Sequence, residues 1–87
     1  MSKNEIKSYY VYLLSCANGE LYTGYTVDPD KRVRLHNLGL ASKFTRSHGP
    51  VVLVHLEKFS NKSRALKREL EIKKMKRANK LRLCDIS

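Results

Sequence analysis

Tryptophan is absent from this 87-residue chain, and so is any long apolar run. A membrane-spanning helix needs roughly 18 or more apolar residues in succession, so the sequence predicts no membrane partner. The N-terminal segment MSKNEIKSYY lacks the charged-then-apolar pattern of a secretory signal. We therefore expect a cytoplasmic protein.

Cysteine and histidine are also scarce. Cys16 and Cys84 lie far apart and form no CxxC motif, and the three histidines fit no zinc-ligand spacing. Without an export signal, reduced thiols in a cytosol are the expected state. The apolar fraction of 41% is typical of a globular chain. A chain of this length supports one core, so we predict a single domain over residues 1–87, with its core at about residues 8–83.

Acidic residues are few: eight stand against eighteen lysines and arginines, so the formal net charge is +10. Ten of these bases lie in residues 62–82, where KSRALKRELEIKKMKRANKLR holds only two acids. Such a stripe attracts polyanions and releases counterions on binding, which makes nucleic acid the first partner to consider. The alternative is a solvated helix surface that keeps the protein soluble, but such surfaces usually mix both signs of charge.

Hydrophobic patterning predicts three strands. YYVYLLSC and LYTGYT, rich in aromatic and β-branched residues, predict strands over residues 9–16 and 21–26, and the ANGE segment between them is a strong hairpin signal. The apolar run VVLVHLEKF predicts a buried strand over residues 51–59.

Capping residues predict the helices. Asp28 as N-cap and Pro29 at the first helical position start a helix of about ten residues that stops at Gly39. Residues 40–50 are predicted to form a loop. An N-cap at Ser60 or Asn61 starts a long helix to about Lys76, and RANKLRLC adds a last helical turn or two. The expected fold is α/β (α+β), a three-stranded antiparallel sheet flanked by helices in the order β-β-α-β-α, with a final helix where RANKLRLC forms one.

Helical geometry directs polar side chains toward the sheet. At 100° per residue, Arg32 and His36 lie between Val33 and Leu35 on the apolar arc of the first helix, while Arg34 and Asn37 point away. In the long helix Glu69 falls inside the predicted buried arc, which is marked by Ala65, Leu66, Leu70 and Ile72; Glu71 falls on the opposite side. A buried Arg32–Glu69 ion pair with a satisfied core histidine and an active-site cleft both fit this pattern.

All five tyrosines lie within residues 9–26. A phenol, a guanidinium, an imidazole and a carboxylate together can carry out phosphoryl chemistry, which favours the cleft. A two-residue loop at Asn18 and Gly19 would put Tyr12 and Tyr22 on opposite faces of the hairpin. A three-residue loop, with Gly19 left-handed, would pair Cys16 with Glu20 and put both phenols on one face, as a single site requires. Tyr9 and Tyr25 are interpreted as ordinary sheet residues.

Two short motifs resemble those of the GIY-YIG nuclease superfamily. Tyr10-Val11-Tyr12 is a variant of Gly-Ile-Tyr, and Tyr22-Thr23-Gly24 is a variant of Tyr-Ile-Gly. Arg32 follows Tyr22 by ten residues, His36 follows Arg32 by four, and Glu69 lies in ALKRE on the long helix. The chain is most similar to the small stand-alone prokaryotic proteins of this superfamily. It departs from the pattern in having Tyr10 in place of glycine, and Val11 and Thr23 in place of isoleucine.

The resemblance implies hydrolysis of DNA, or another nucleic acid, assisted by Mg²⁺ or Mn²⁺, with repair or recombination as an expected setting. It implies that Tyr12 and Tyr22 orient or deprotonate the attacking water, and that Arg32 stabilises charge on the phosphate. Glu69 would hold the metal, and His36 would be a second proton acceptor. Asn79 is the candidate for an asparagine that the family often has near the end of its domain.

Several basic residues are candidate nucleic-acid contacts: Lys43 and Arg46 in KFTRSH, and Lys73, Lys74, Lys76 and Arg77, with Asn79, in the 62–82 segment. Two alternatives to a nuclease remain open at this point. The chain could be a non-catalytic nucleic-acid-binding module that retains the fold, or a protein-interaction domain, which would need an exposed apolar patch.

Overall fold

A computed structural model describes residues 7–84, and its helices and strands follow the predicted order with one addition. The strands are β1 (Tyr9–Cys16), β2 (Leu21–Thr26) and β3 (Val51–Phe59); the helices are α1 (Pro29–Asn37), α2 (Lys43–His48), α3 (Lys62–Lys73) and α4 (Arg77–Cys84). All three strands have the bounds predicted from the sequence. The sheet is antiparallel with the order β2-β1-β3, so the predicted α+β class is confirmed. Within residues 7–84, no helix is both long and apolar enough to span a bilayer.

The β1–β2 turn resolves the two hairpin alternatives. The amide of Cys16 donates to the carbonyl of Glu20 at 2.9 Å, and that of Gly19 donates to the carbonyl of Cys16 at 2.8 Å. Gly19 has φ +90°, a left-handed conformation that glycine adopts without strain. The loop therefore has three residues, and the resulting register pairs Tyr12 with Gly24. Tyr12 and Tyr22 consequently lie on one face of the hairpin.

Strand β1 is the centre of the fold, and its side chains supply two cores. Val11 and Leu13 pack with Ala65 and Ile72 of α3, on one side of the sheet. Tyr12, Leu14 and Cys16 pack on the other side, where Val33 of α1 and Phe44 of α2 cover them. Tyr9 and Tyr25 join the first of these cores and stack on each other at 6.5 Å, as expected of sheet residues. Each layer of helices thus covers one face of the same strand.

Side-chain caps account for the helix starts. The carboxylate of Asp28 accepts from the amide of Lys31 at 3.1 Å, and the side chain of Asn61 accepts from the amide of Arg64 at 3.1 Å. Of the two predicted caps for α3, Asn61 is therefore the one used. Helix α1 ends where predicted, with Gly39 left-handed at φ +78° just past the C-cap.

Two predictions about helix extent were wrong. The predicted 40–50 loop contains α2, because the Ser42 hydroxyl accepts from the amide of Thr45 at 3.1 Å and so caps a short helix. The long helix ends at Lys73 rather than Lys76, with Lys74 as its C-cap. RANKLRLC then forms the separate helix α4.

The predicted buried arc of α3 was also partly wrong. Ala65 and Ile72 are fully buried, but Leu66 is 37% exposed and Leu70 is 57% exposed. At about 100° per residue, Leu66 and Leu70 lie roughly 100° and 140° from Ala65, whereas Ile72 and Glu69 lie close to its direction. The arc is therefore centred on small and β-branched residues, and Glu69 remains inside it.

Asn37 also differs from its predicted orientation. Its side-chain amide donates to the carbonyl of Val51 at 3.2 Å and accepts from the amide of Val51 at 2.7 Å. The residue is exposed, as predicted, but its amide group ties the end of α1 to the first residue of β3 instead of pointing into solvent. This link helps to fix α1 over the sheet.

A network around Glu57 joins β3 to α3. Arg68 donates to both oxygens of Glu57, at 2.8 and 3.1 Å, and His55 lies 2.7 Å from the same carboxylate. Burial alone would raise the pKa of Glu57, but the hydrogen bonds from Arg68 and His55 outweigh it and lower the pKa. His55 of β3 thus takes part in a structural ion-pair network.

We expect Glu57→Gln to lower the free energy of unfolding by about 2 kcal/mol at pH 7, because the amide can accept only one of the two bonds from Arg68 and carries no negative charge. A carboxyl whose pKa is depressed in the folded state stabilises the fold above its unfolded pKa, near 4.3, and loses that effect as pH falls through the folded pKa. Thermal melts of the wild type and variant should therefore differ by roughly 10 °C at pH 7 and converge only when the pH falls below the lowered pKa of the folded carboxyl.

Glu71→Gln is the control for this experiment, because it removes only the more exposed contact of Arg68 with Glu71 at 3.2 Å. Its effect should stay within about 0.5 kcal/mol. Equal melting curves for Glu57→Gln and the wild type at pH 7 would contradict the assignment.

Candidate active site

Tyr12 is the central residue of the candidate site. Its side chain is buried, with 1% exposure, and its hydroxyl lies 2.8 Å from Nε2 of His36. The ring lies across Gly24 of β2, so that a Cβ at position 24 would overlap the end of the ring and come within 2.8 Å of its Cε2. The phenol of Tyr12 thus occupies the space that the absent side chain of Gly24 leaves.

His36 connects both motif tyrosines to α2. Its ring meets those of Tyr12 and Tyr22 edge-on, at centroid distances of 5.7 and 5.1 Å. Its Nδ1 lies 2.7 Å from the hydroxyl of Thr45. Burial, together with the positive charge of Arg32, lowers the pKa of His36, so the ring is neutral near pH 7. A buried neutral imidazole between two hydroxyls can accept a proton at one nitrogen and donate at the other.

Other predicted site residues affect the pKa of the Tyr12 phenol. Burial raises its pKa to about 12, the neighbouring Tyr22 and the carboxylate of Glu69 also raise it, and Arg32 beside the hydroxyl opposes them. Tyr12 is therefore a neutral phenol at pH 7. The same shifts indicate that Tyr22, Arg32 and Glu69 all lie within electrostatic range of one hydroxyl group.

Glu69 approaches from the other layer of helices. Its carboxylate pairs with Lys73 at 3.2 Å rather than with Arg32, and its side chain is 17% exposed. The alternative of a buried Arg32–Glu69 ion pair is therefore wrong. Among residues 7–84, no group of three or more histidine, cysteine, aspartate and glutamate side chains is placed to hold a metal ion. Glu69 would have to act as a single protein carboxylate.

A groove of about 340 Å³ lies beside Tyr22 at the edge strand β2. Phe44 stacks on Tyr22 at 5.9 Å, and His48 stacks on Phe44 at 4.4 Å. Lys73 and Lys80 line the same groove from the α3–α4 side. Aromatic faces and ammonium groups together suit a nucleic-acid strand, because rings stack with bases and lysines contact phosphates.

The residues predicted to contact nucleic acid are all exposed: Lys43, Arg46, Lys73, Lys74, Lys76, Arg77 and Asn79. The side chain of Asn79 accepts from Arg82 on its own helix at 3.2 Å, and the structure joins it to none of Tyr12, His36 or Glu69 among the residues described. Lys73 alone of this set contacts a predicted catalytic residue through an ion pair.

Sequence reasoning missed Thr45, Phe44 and Lys80. KFTRSH was considered only for its bases, within a predicted loop. The signal that could have located the helix is Ser42, a favoured N-cap residue, whose hydroxyl bonds Thr45 three positions later. The contact of Thr45 with His36 and the stacking of Phe44 on Tyr22 depend on how α2 folds back over β2, which local patterns do not encode.

Comparison with known proteins identifies a family for this chain. A family model described as the GIY-YIG catalytic domain matches residues 8–82. A UPF0213 protein of Natronomonas pharaonis is 53% identical over 75 residues, or 86% of this chain and 88% of the relative. A UPF0213 protein of Syntrophus aciditrophicus is 52% identical over 84 residues, or 95% of this chain and 91% of the relative.

Solved structures agree with the fold. The solution NMR structure of a UPF0213 protein from Bacillus halodurans superposes with a TM-score of 0.59 at 41% identity, covering 90% of this chain and 83% of that one. A protein from E. faecalis gives a TM-score of 0.59 at 43% identity, covering 85% and 79%. The catalytic-domain model spans the two tyrosine motifs, Arg32, His36 and Glu69, and the chain therefore belongs to the GIY-YIG catalytic domain family.

Proposed function

We propose that this protein is a metal-dependent nuclease that hydrolyses phosphodiester bonds in DNA or another nucleic acid. The observation that carries the proposal is the buried phenol of Tyr12, 2.8 Å from His36 and electrostatically coupled to Tyr22, Arg32 and Glu69. Perturbed titratable groups gathered beside a groove are a recognised mark of an active site. Membership of a family that consists largely of endonucleases points to the same chemistry.

Tyr12 and His36 supply the path for a proton. A phenol with a pKa of about 12 is too weakly acidic to ionise alone at pH 7. His36 is a neutral acceptor at hydrogen-bond distance, so Tyr12 gives its proton to Nε2 as its oxygen takes one from the attacking water. The proton count balances, and the negative phosphate offsets the charge that forms on the imidazole.

Arg32 and Tyr22 act on the substrate. Arg32 lies beside the Tyr12 hydroxyl, where its guanidinium can pair with the phosphoryl oxygens that gain charge in the transition state. Tyr22 packs against His36 and lines the groove, so its hydroxyl is available to orient the water or the phosphate. Tyr22 is assigned to the substrate and Tyr12 to the proton path because Tyr22 faces the groove, whereas Tyr12 is buried.

Glu69 fits a divalent metal that keeps most of its ligands as water and phosphate. Mg²⁺ is commonly bound through one or two carboxylates plus substrate phosphates, and Glu69 offers one carboxylate that is partly exposed. Its ion pair with Lys73 holds it in place without a metal, and Lys73 can turn to a phosphate when the substrate binds. When bound, Mg²⁺ or Mn²⁺ would supply charge stabilisation at the phosphate.

The test is incubation of the purified protein with branched, single-stranded and duplex DNA and with RNA, with and without Mg²⁺ or Mn²⁺. Metal-dependent cleavage of at least one of these substrates is the expected result. Binding without cleavage of any of them would favour the alternative, a non-catalytic nucleic-acid-binding module. That alternative draws its support from the exposed bases of α3 and α4, which would bind phosphates with or without a catalytic site.

We expect binding to be dominated by phosphate contacts from the α3–α4 segment. Changing Lys73, Lys74, Lys76 and Arg77 together to Ala should weaken binding and reduce the slope of log K against log salt, by up to about 0.9 per lost duplex phosphate contact. Fluorescence anisotropy of a labelled duplex between 50 and about 200 mM salt measures both quantities. Lys7→Ala, an exposed base outside this segment, is the control. Wild-type affinity in the quadruple variant would contradict the assignment.

A further inference from the structure

His36 also contacts α2 through a hydrogen bond that has no role in the proton path proposed above. Its Nδ1 lies 2.7 Å from Oγ1 of Thr45, and both residues are buried, with exposures of 1% and 0%. An imidazole without access to water must take its tautomer from the groups that surround it. The roles of Thr45 and Tyr12 as donor or acceptor therefore decide which nitrogen of His36 carries the proton.

The hydroxyl of Thr45 has one proton and several neighbours. It lies 3.4 Å from the carbonyl of Ser42, which can only accept, and 3.0 Å from the hydroxyl of Ser42. When Thr45 donates toward Ser42, its oxygen is left to accept from Nδ1–H of His36. Ser42, the N-cap of α2, thus provides an acceptor for the proton of the Thr45 hydroxyl. The Thr45 oxygen is then free to accept from Nδ1–H of His36.

Tyr12 imposes the same tautomer from the other side of the ring. The phenol is neutral and has a proton to donate, and Nε2 of His36 lies 2.8 Å away. Its neighbour Arg32 carries only donors, so it cannot take that proton. An Nε2–H tautomer would leave the buried phenol proton without His36 as its acceptor, which costs free energy.

We infer that Thr45, oriented by Ser42, is a positioning residue that fixes His36 as the Nδ1–H tautomer, so that Nε2 is free to accept the proton of Tyr12. The catalytic consequence rests on the proposed function, whereas the tautomer itself does not. With the proton on Nε2, Tyr12 could not pass its own proton to His36, and the path from water would be closed. Thr45 acts through His36 and does not touch the substrate.

The direct test is ¹⁵N NMR of the imidazole nitrogens of His36 at a pH where the ring is neutral. The wild type should give a protonated Nδ1 and an unprotonated Nε2. Thr45→Val keeps the shape of the side chain but removes the acceptor, so Nε2–H should become populated. Thr45→Ser keeps the hydroxyl and should restore the wild-type pattern. An Nε2–H tautomer in the wild type would overturn the inference even if Thr45→Val failed to fold.

Cleavage provides the second readout, on the substrate that the wild type cleaves best. We expect kcat to fall about 10–100-fold in Thr45→Val, a part of the 10²–10⁴-fold that acid–base catalysis contributes, with KM little changed and near-normal kcat in Thr45→Ser. Equal kcat in both variants would contradict the positioning role. If the wild type cleaves nothing, the proposed function fails while the NMR experiment still decides the tautomer.

Discussion

Replacing Glu69 with Gln is expected to reduce the cleavage rate by about 10²–10³-fold while leaving the fold intact. The amide keeps the size of the side chain but removes the charge, and a hard dication prefers a carboxylate oxygen to a neutral amide. Loss of several kcal/mol of charge stabilisation at the phosphate corresponds to a rate loss of this size. Single-turnover cleavage in Mg²⁺ measures it.

The stability of Glu69→Gln should change by less than about 1 kcal/mol. Its ion partner is Lys73, half-exposed and one helical turn away, and such pairs contribute about 0.3–0.5 kcal/mol. This differs from the outcome for a buried Arg32–Glu69 pair, in which the stranded Arg32 would cost several kcal/mol.

Glu71→Gln is the matched control, since it makes the same chemical change two residues away on an exposed position of the same helix. It should be nearly silent in both the melting and the cleavage assays. Wild-type cleavage by Glu69→Gln rules out the assigned metal ligand.

Gly24→Ala should have the second large effect, and it acts through Tyr12. The new methyl group would overlap the end of the Tyr12 ring, which is buried and hydrogen-bonded to His36 and so cannot swing aside freely. Overpacking of this kind costs about 1–3 kcal/mol. Because relief requires the phenol to leave Nε2 of His36, cleavage should fall further than stability, by about 10²-fold or more, the contribution of a lost acid–base group.

Gly19→Ala is the control for Gly24→Ala. A Cβ at position 19 meets nothing within 4 Å, but the residue has φ +90°, so the substitution costs about 1–2 kcal/mol of backbone strain. The two variants should therefore lose similar stability, while only Gly24→Ala loses cleavage at a temperature where both are folded. Equal loss of cleavage in the two variants would contradict the account.

Local signals predicted the framework of this fold well. The strand bounds follow from aromatic and β-branched runs, and the start of α1 follows from Asp28 and Pro29, because these effects act within a few residues. The hairpin register stayed open because the same ANGE segment supports two loop lengths, which differ by the hydrogen bonds between Cys16 and Glu20. In the sequence, only the requirement that Tyr12 and Tyr22 share a face favoured one of them.

The candidate site was less accessible to sequence reasoning. The spacing of the motifs predicted that Tyr12, Tyr22, Arg32 and His36 lie together. It did not predict that Glu69 approaches from the other layer of helices or that Lys73 forms an ion pair with it. The bond between His36 and Thr45 and the stacking of Phe44 on Tyr22 join residues on separate elements. Such contacts arise from packing of helices over an edge strand, and no local periodicity specifies them.

The proposed function requires that Glu69 bind a divalent metal near Tyr22 and Tyr12. Paramagnetic broadening by Mn²⁺ in the ¹⁵N-labelled protein tests it most directly, because it needs no knowledge of the substrate. We expect broadening that is centred on Glu69 and extends to Tyr22, and that is lost in Glu69→Gln and retained in Glu71→Gln. Broadening centred instead on Glu57 and Glu71, where two carboxylates meet Arg68, or unchanged in Glu69→Gln, would contradict it.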